Sequence, residues 1–261
     1  MRDEEGPRDL ERSMRLLWRA HGEPDPAEAT ESGAAVRRRG PKPALSVEQI
    51  VLAAIEIADA EGLGGLSMRK VAERLGVGTM SLYTYVPAKA ELVSLMLDAV
   101  DARGSLPHTV EGGWREQTAA WAREDWLLYQ RHEWMLQASG RQPLGPNTMR
   151  RFDSALRALR ETGLPQHELV AAADVIDSYT RGMAVRAAES RQLERRTGTS
   201  EQAWWDEHGP QLGARISEAT YPAVYLAWQS GAFDSDNDID SFEYGLQRIL
   251  DGIEGRVTGE D

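Results

Sequence analysis

Residues 66–85, Leu-Ser-Met-Arg-Lys-Val-Ala-Glu-Arg-Leu-Gly-Val-Gly-Thr-Met-Ser-Leu-Tyr-Thr-Tyr, place two short helical patterns on either side of Gly76-Val77-Gly78. The second pattern is poor in charge and rich in hydroxyls. This is the layout of a helix-turn-helix, in which one helix braces and the next offers small and hydroxylated side chains to base edges. The chemistry implied is recognition of a duplex.

The elements that must hold this pair are legible around it. Ser46 with Gln49 makes a capping box, and Ile50, Val51, Ala54, Ile55 and Ala58 follow at helical spacing, which predicts a supporting helix ending at Gly62. Ser67 caps the bracing helix, which buries Val71, Ala72 and Leu75 and stops at Gly76. Thr79 opens the third helix. Pro87 marks the break before a fourth, whose stripe is Leu92, Val93, Met96, Leu97 and Val100. Beyond Gly104 longer helical patterns are predicted near 112–138, 146–162, 166–190, 201–207, 210–230 and 239–255. No segment alternates strictly, so the fold class expected is all-α, a small head joined to a larger helical body. Leu10, Met14, Leu17 and Trp18 share a helical face, so 9–20 reads either as a short amphipathic helix or as a tail without structure.

Charge supports a duplex partner once it is divided along the chain. The 261 residues carry −12, but residues 1–35 carry −4, residues 36–103 carry +1 and residues 104–261 carry −9. The positive segment is the one with the helix pair, and its cations cluster in Arg37, Arg38, Arg39 and Lys42. Clustered cations near phosphate govern affinity more than the total does. Residues 21–46, with four prolines and no hydrophobic period, read as a linker. With no cysteine, disulfides, thiolate zinc sites and thiol nucleophiles are excluded. The amino terminus is acidic and no apolar run is long enough to span a bilayer, so a soluble cytoplasmic protein is expected.

The head resembles the TetR family of one-component transcriptional regulators. The residues carrying the resemblance are Ile50, Ala54 and Ala58, Gly62-Leu63, Ser67-Met68-Arg69-Lys70-Val71-Ala72, Leu75-Gly76-Val77, Ser81-Leu82-Tyr83, Tyr85-Val86, Lys89 and Leu92. Leu82 and Val86 are spaced to seat the recognition helix against Ile55 and Val71. The resemblance implies that Ser67, Thr79, Met80, Ser81, Tyr83, Thr84 and Tyr85 meet DNA. Serine and threonine hydroxyls discriminate weakly, Met80 suits a thymine methyl, and Tyr83 and Tyr85 suit phosphate oxygens. Lys89 and Arg69 lie near helix starts, where phosphate is favoured. The recognition helix holds no Arg, Asn or Gln, so specificity is expected to lean on Arg69, DNA shape and the basic arm. That arm reads either as a minor-groove contact or as a solvated charge run.

The resemblance extends to tetracycline-repressor-like bodies through Trp114-Arg115, Trp121, Arg131-His132-Glu133-Trp134, Phe242-Glu243-Tyr244-Gly245-Leu246 and Ile249-Leu250-Asp251-Gly252. Glu133 stands where members often have proline. Seven of the eight tryptophans fall after residue 113. Such rings with polar handles at His132, Gln137, Asp177 and Arg181 suit either an apolar pocket or plain core. The pocket expected is Trp126, Tyr129, His132, Trp134, Tyr179, Arg181 and Tyr225. A homodimer through helices near 166–190 and 239–255 is implied, with recognition helices about 34–36 Å apart on a palindromic operator. Small and apolar residues there, among them Val175, Ile176, Gly182, Ala184, Phe242, Gly245 and Leu246, allow close approach.

The domains expected are 1–45 (extension and basic linker), 46–103 (DNA-binding head) and 104–261 (ligand-binding and dimerisation body). The function expected is a ligand-responsive regulator, a repressor released by a small molecule, with no cofactor, metal or membrane. One alternative is a helical small-molecule-binding protein whose head serves protein contacts. Another is an all-α enzyme around Glu124, Asp125 or His132, for which no nucleophile or metal cage is supplied. Asp234-Ser-Asp236-Asn-Asp238 lacks the glycine and glutamate of a calcium loop, so Asp240 is read as the cap of the last helix.

Overall fold

The computed structural model describes residue 11 and residues 14–18, 45–138, 144–233 and 240–259. Among these the fold is all-α, with no strand, and no helix is long and apolar enough to cross a membrane. Residues 14–18 are helical and Leu17 is buried; the rest of the amphipathic segment expected over 9–20 lies outside the described residues, residue 11 excepted. The chain divides into two compact units, 1–173 and 174–261.

In the first unit the head is four helices. Helix α1 (Val47–Gly65) starts on the expected capping box, Ser46 Oγ accepting from Gln49 N–H at 3.2 Å and Gln49 Oε1 from Ser46 N–H at 3.0 Å. Its backbone leaves the helical region at Gly62 (φ 71°, ψ 175°). Helices α2 (Met68–Leu75) and α3 (Thr79–Tyr85) follow. Between them Gly76 adopts φ 67°. Gly76 N–H donates to Glu73 O at 3.2 Å and Val77 N–H to Ala72 O at 3.0 Å, the paired closure of a Schellman turn. G76A is expected to cost about 1 kcal/mol, because a Cβ penalises this backbone region whatever the space around it. The measurement is a urea midpoint with an unchanged slope. Helix α4 (Lys89–Asp101) completes the head.

Helix α5 (Trp114–Arg131) is shorter than the predicted 112–138. The backbone breaks at His132 (φ −120°, ψ 61°) and re-forms as a 3₁₀ turn, Glu133–Gln137, although Glu133 replaces the familial proline. Helix α6 (Pro146–Leu159) and a 3₁₀ turn to Thr162 lead into α7 (Gln166–Thr197), which outruns its predicted end at 190 and stops before Gly198 (φ 72°).

The second unit holds most of α7 with α8 (Glu201–Gly213), α9 (Pro222–Gln229) and α10 (Ser241–Thr258). The predicted break near 208–209 is absent. Pro210 lies inside α8, and the chain turns at 214–221 instead, where Pro222 takes the first helical position that suits its missing N–H. Asp240 caps α10 as expected, accepting from Phe242 N–H at 2.9 Å and Glu243 N–H at 3.1 Å. Tyr179 seals α7 to α10. Its hydroxyl donates to Ser241 O at 2.8 Å and Phe242 O at 3.0 Å, and its ring stacks on Phe242. A Cβ on Gly245 would collide with the Tyr179 hydroxyl. Gly245 is therefore small for a contact inside the protomer.

Candidate nucleic-acid interface

The recognition helix sits as its pattern demands. Leu82 and Val86 are fully buried, as are Ile50 and Val71, and each such side chain contributes about 1.5–3 kcal/mol by leaving water. The opposite side of α3 faces solvent: Met80 is 78% exposed and Tyr83 42%. Ser81 and Thr84 are exposed, and Thr79 and Tyr85 are half-buried. Hydroxyl, thioether and phenol groups thus share one outward surface, free to meet base edges and phosphates.

The cations around this surface are already engaged. Arg69 stands 3.6 Å from Glu73, Lys70 pairs with Glu61, and Arg74 Nε donates to Glu56 at 2.9 Å. Ser67 Oγ accepts from Lys70 N–H at 3.3 Å as the cap of α2, which leaves its own O–H available to a phosphate. Lys89 Nζ, expected at a phosphate, donates to the carbonyl of Leu63 at 2.7 Å. Residues 46–101 hold four basic against eight acidic side chains. Arg37, Arg38, Arg39 and Lys42, which lie outside the described residues, bring this balance to neutrality, and Arg103 makes it positive.

Of the seven residues expected to line a pocket, Trp126, Tyr129, His132 and Trp134 belong to the first unit and Tyr179, Arg181 and Tyr225 to the second. His132 and Trp134 are held against α1. Trp134 is 1% exposed, and its Nε1–H donates to Asp59 Oδ1 at 2.7 Å; His132 Nδ1 lies 2.7 Å from the same oxygen. Both rings thus bond α1 of the head. Tyr179 is likewise committed, by its bonds to α10. Burial, then the Asp240 and Glu243 carboxylates, push its phenol above its ordinary value, so it remains a donor. Tyr129 is buried on α5 and Trp126 is half-buried on the same helix. Arg181 on α7 and Tyr225 on α9 are half-buried in the second unit.

Residues that composition and periodicity did not single out carry much of the architecture. Asp98, 1% exposed on α4, accepts from Asn147 N–H (3.0 Å) and Nδ2 (2.9 Å) and from Thr148 N–H (3.1 Å), and so caps α6 from a distance of 49 residues. Buried Arg151 donates to Asp125 (2.7 Å) and Glu124 (3.3 Å), and Ser105 also donates to Glu124. These two carboxylates are structural anchors of α5 and α6.

The geometry agrees with what the chain is similar to. Residues 50–96 match the family described as bacterial regulatory proteins, tetR family, and residues 106–257 the tetracyclin repressor-like C-terminal domain. The HTH-type transcriptional repressor DrrR1 of Streptomyces coeruleorubidus is 42% identical over 255 residues, spanning 97% of this chain and 88% of that one. The class A tetracycline repressor of transposon 1721 from Escherichia coli is 32% identical over 81% of this chain and 92% of its own. Among solved structures, ActR of Streptomyces coelicolor in complex with actinorhodin superposes with a TM-score of 0.69 at 28% identity, over 81% of this chain and 96% of ActR. With its outward-facing recognition helix, capped turn and helical body, the chain belongs to the TetR family of transcriptional regulators.

Proposed function

We propose that the protein is a homodimeric repressor that occupies a roughly palindromic operator through α2 and α3 and is released by a small molecule held in its body. The head is assigned to 46–103 and the body to 104–261. One observation carries the reading: α3 buries Leu82 and turns Met80, Ser81, Tyr83 and Thr84 outward, beside a turn closed by Gly76. The kinship with tetracycline repressors and with ActR, solved with actinorhodin, supports a multi-ring effector. Trp126 and Tyr129 on α5 are the side chains proposed to meet it.

The dimer is proposed to pair α7 and α10 with their copies. Ile176, Ala184, Phe242 and Leu246 are buried within the protomer, so the contact falls to residues such as Val175, 52% exposed, and Tyr244, 58% exposed. The acidic balance of residues 46–101 favours a second reading, a head that serves protein contacts. Fluorescence anisotropy with a duplex selected by the protein from a random pool separates the two. Saturable binding that weakens steeply with salt is expected. Failure to enrich any duplex would leave the second reading standing.

A further inference from the structure

Four bonds, three from the turn 132–137 and one from Lys89 at the start of α4, converge on the last turns of α1. Asp59 Oδ1 takes both Trp134 Nε1–H and His132 Nδ1 at 2.7 Å. Because a carboxylate only accepts, His132 carries its proton on Nδ1. Four residues on, Leu63 is held from two sides: its N–H donates to Gln137 Oε1 at 3.2 Å, and its carbonyl accepts from Lys89 Nζ at 2.7 Å. A Cβ on Gly62 would stand 3.4 Å from the Gln137 amide, so the turn 133–137 lies directly over this backbone.

We propose that Asp59 is a positioning residue for the coupling of head and body: by gathering the His132 and Trp134 rings onto α1, it makes the turn 132–137 and the head one mechanical unit, so that occupancy of the duplex and the state of the turn are coupled through α1. Two donors on a single oxygen leave no slack. A rotation of the turn that preserves one bond lengthens the other, and α1 must follow or the pair must break. α1 in turn carries the buried Ile50, Ala54 and Ile55 and packs on α2, which packs on α3. A second link between head and body runs along α4, through Asp98 and Asp101 to α6. The route through Asp59 enters the head at α1, where Lys89 of α4 also bonds Leu63.

The inference rests on the DNA-binding reading, and linkage supplies its test: if the turn sets the head, a duplex on the head must be felt at the turn. Hydrogen exchange reads this at the amides of Met135 and Ala138, which donate within the turn to His132 O at 2.9 Å and Met135 O at 3.3 Å. In the full-length protein, saturation with the selected duplex is expected to change exchange there by about threefold or more. In D59A the duplex still binds by anisotropy, but the response at the turn disappears; D59N, which keeps an acceptor oxygen, recovers part of it. Q137A, which leaves Asp59 untouched, diminishes the response without abolishing it and serves if D59A fails to fold. A folded D59A whose turn answers the duplex as the wild type does overturns the proposal. So does a wild-type turn that ignores a bound duplex, whereas failure to select any duplex sinks the DNA-binding reading itself and is seen before exchange is measured.

Discussion

Replacing Asp98 with alanine is expected to destabilise the protein by about 3–5 kcal/mol, the cost of leaving several buried donors without an acceptor. The N-terminus of α6 has no local means of satisfying its first amides: Pro146 occupies the first helical position and Gly145, at the N-cap, has no side chain. Gly145 is small for a reason, since a Cβ there would collide with the Asp98 carboxylate. The cap is therefore supplied by α4, and Asn147 N–H, Asn147 Nδ2 and Thr148 N–H all end on it. D98N keeps one acceptor oxygen and is expected to recover part of the loss. Urea unfolding with an unchanged slope is the measurement; a shift below about 1 kcal/mol would mean that water replaces the carboxylate without penalty.

The contrast between Asp98 and Ser46 explains what the sequence discloses. Ser46 and Gln49 are three residues apart, so their reciprocal cap is visible in the chain itself, as are the Ser67 cap, the Gly76 turn and the inward pattern of Leu82 and Val86. The head was legible because its contacts are local. Asp98 reaches across 49 residues and Asp59 across more than 70, and nothing in their neighbourhoods distinguishes them from solvated acids. The same limit hides the Asp59 partner of His132 and Trp134. Ring types and helical spacing identify side chains that will be buried, but not which element covers them, and a bundle of amphipathic helices offers several. The break between α8 and α9 was misplaced for another reason: Gly209-Pro210 is a strong local stop signal, yet α8 continues through Pro210 to Gly213.

Acids within the head also decide how it meets its partner. Glu56, Glu61 and Glu73 occupy the cations nearest the recognition helix, and Lys89 is turned onto Leu63. Phosphate must compete with all of these contacts. Such pairs are worth little in water, so each cation can still be drawn away, but none contributes its full charge to the first encounter.

Alanine at Arg37, Arg38, Arg39 and Lys42 together is accordingly expected to weaken operator binding by on the order of 10²-fold near physiological salt, and to flatten the dependence of log K on log salt by about 3–4, since each phosphate neutralised contributes roughly 0.9 to that slope. The loss should be nearly uniform across duplex sequences if the four side chains meet phosphate, and larger on A·T-rich flanks if they enter a minor groove. Without them the head from 46 to 101 carries twice as many acids as bases, and a helix of threonines, tyrosines and a methionine has no long-range attraction to a polyanion. Anisotropy titrations of the quadruple variant at several salt concentrations make the comparison. A slope that changes by less than about one would place these four cations in solvent and return the phosphate contacts to Arg69, Lys70 and Lys89.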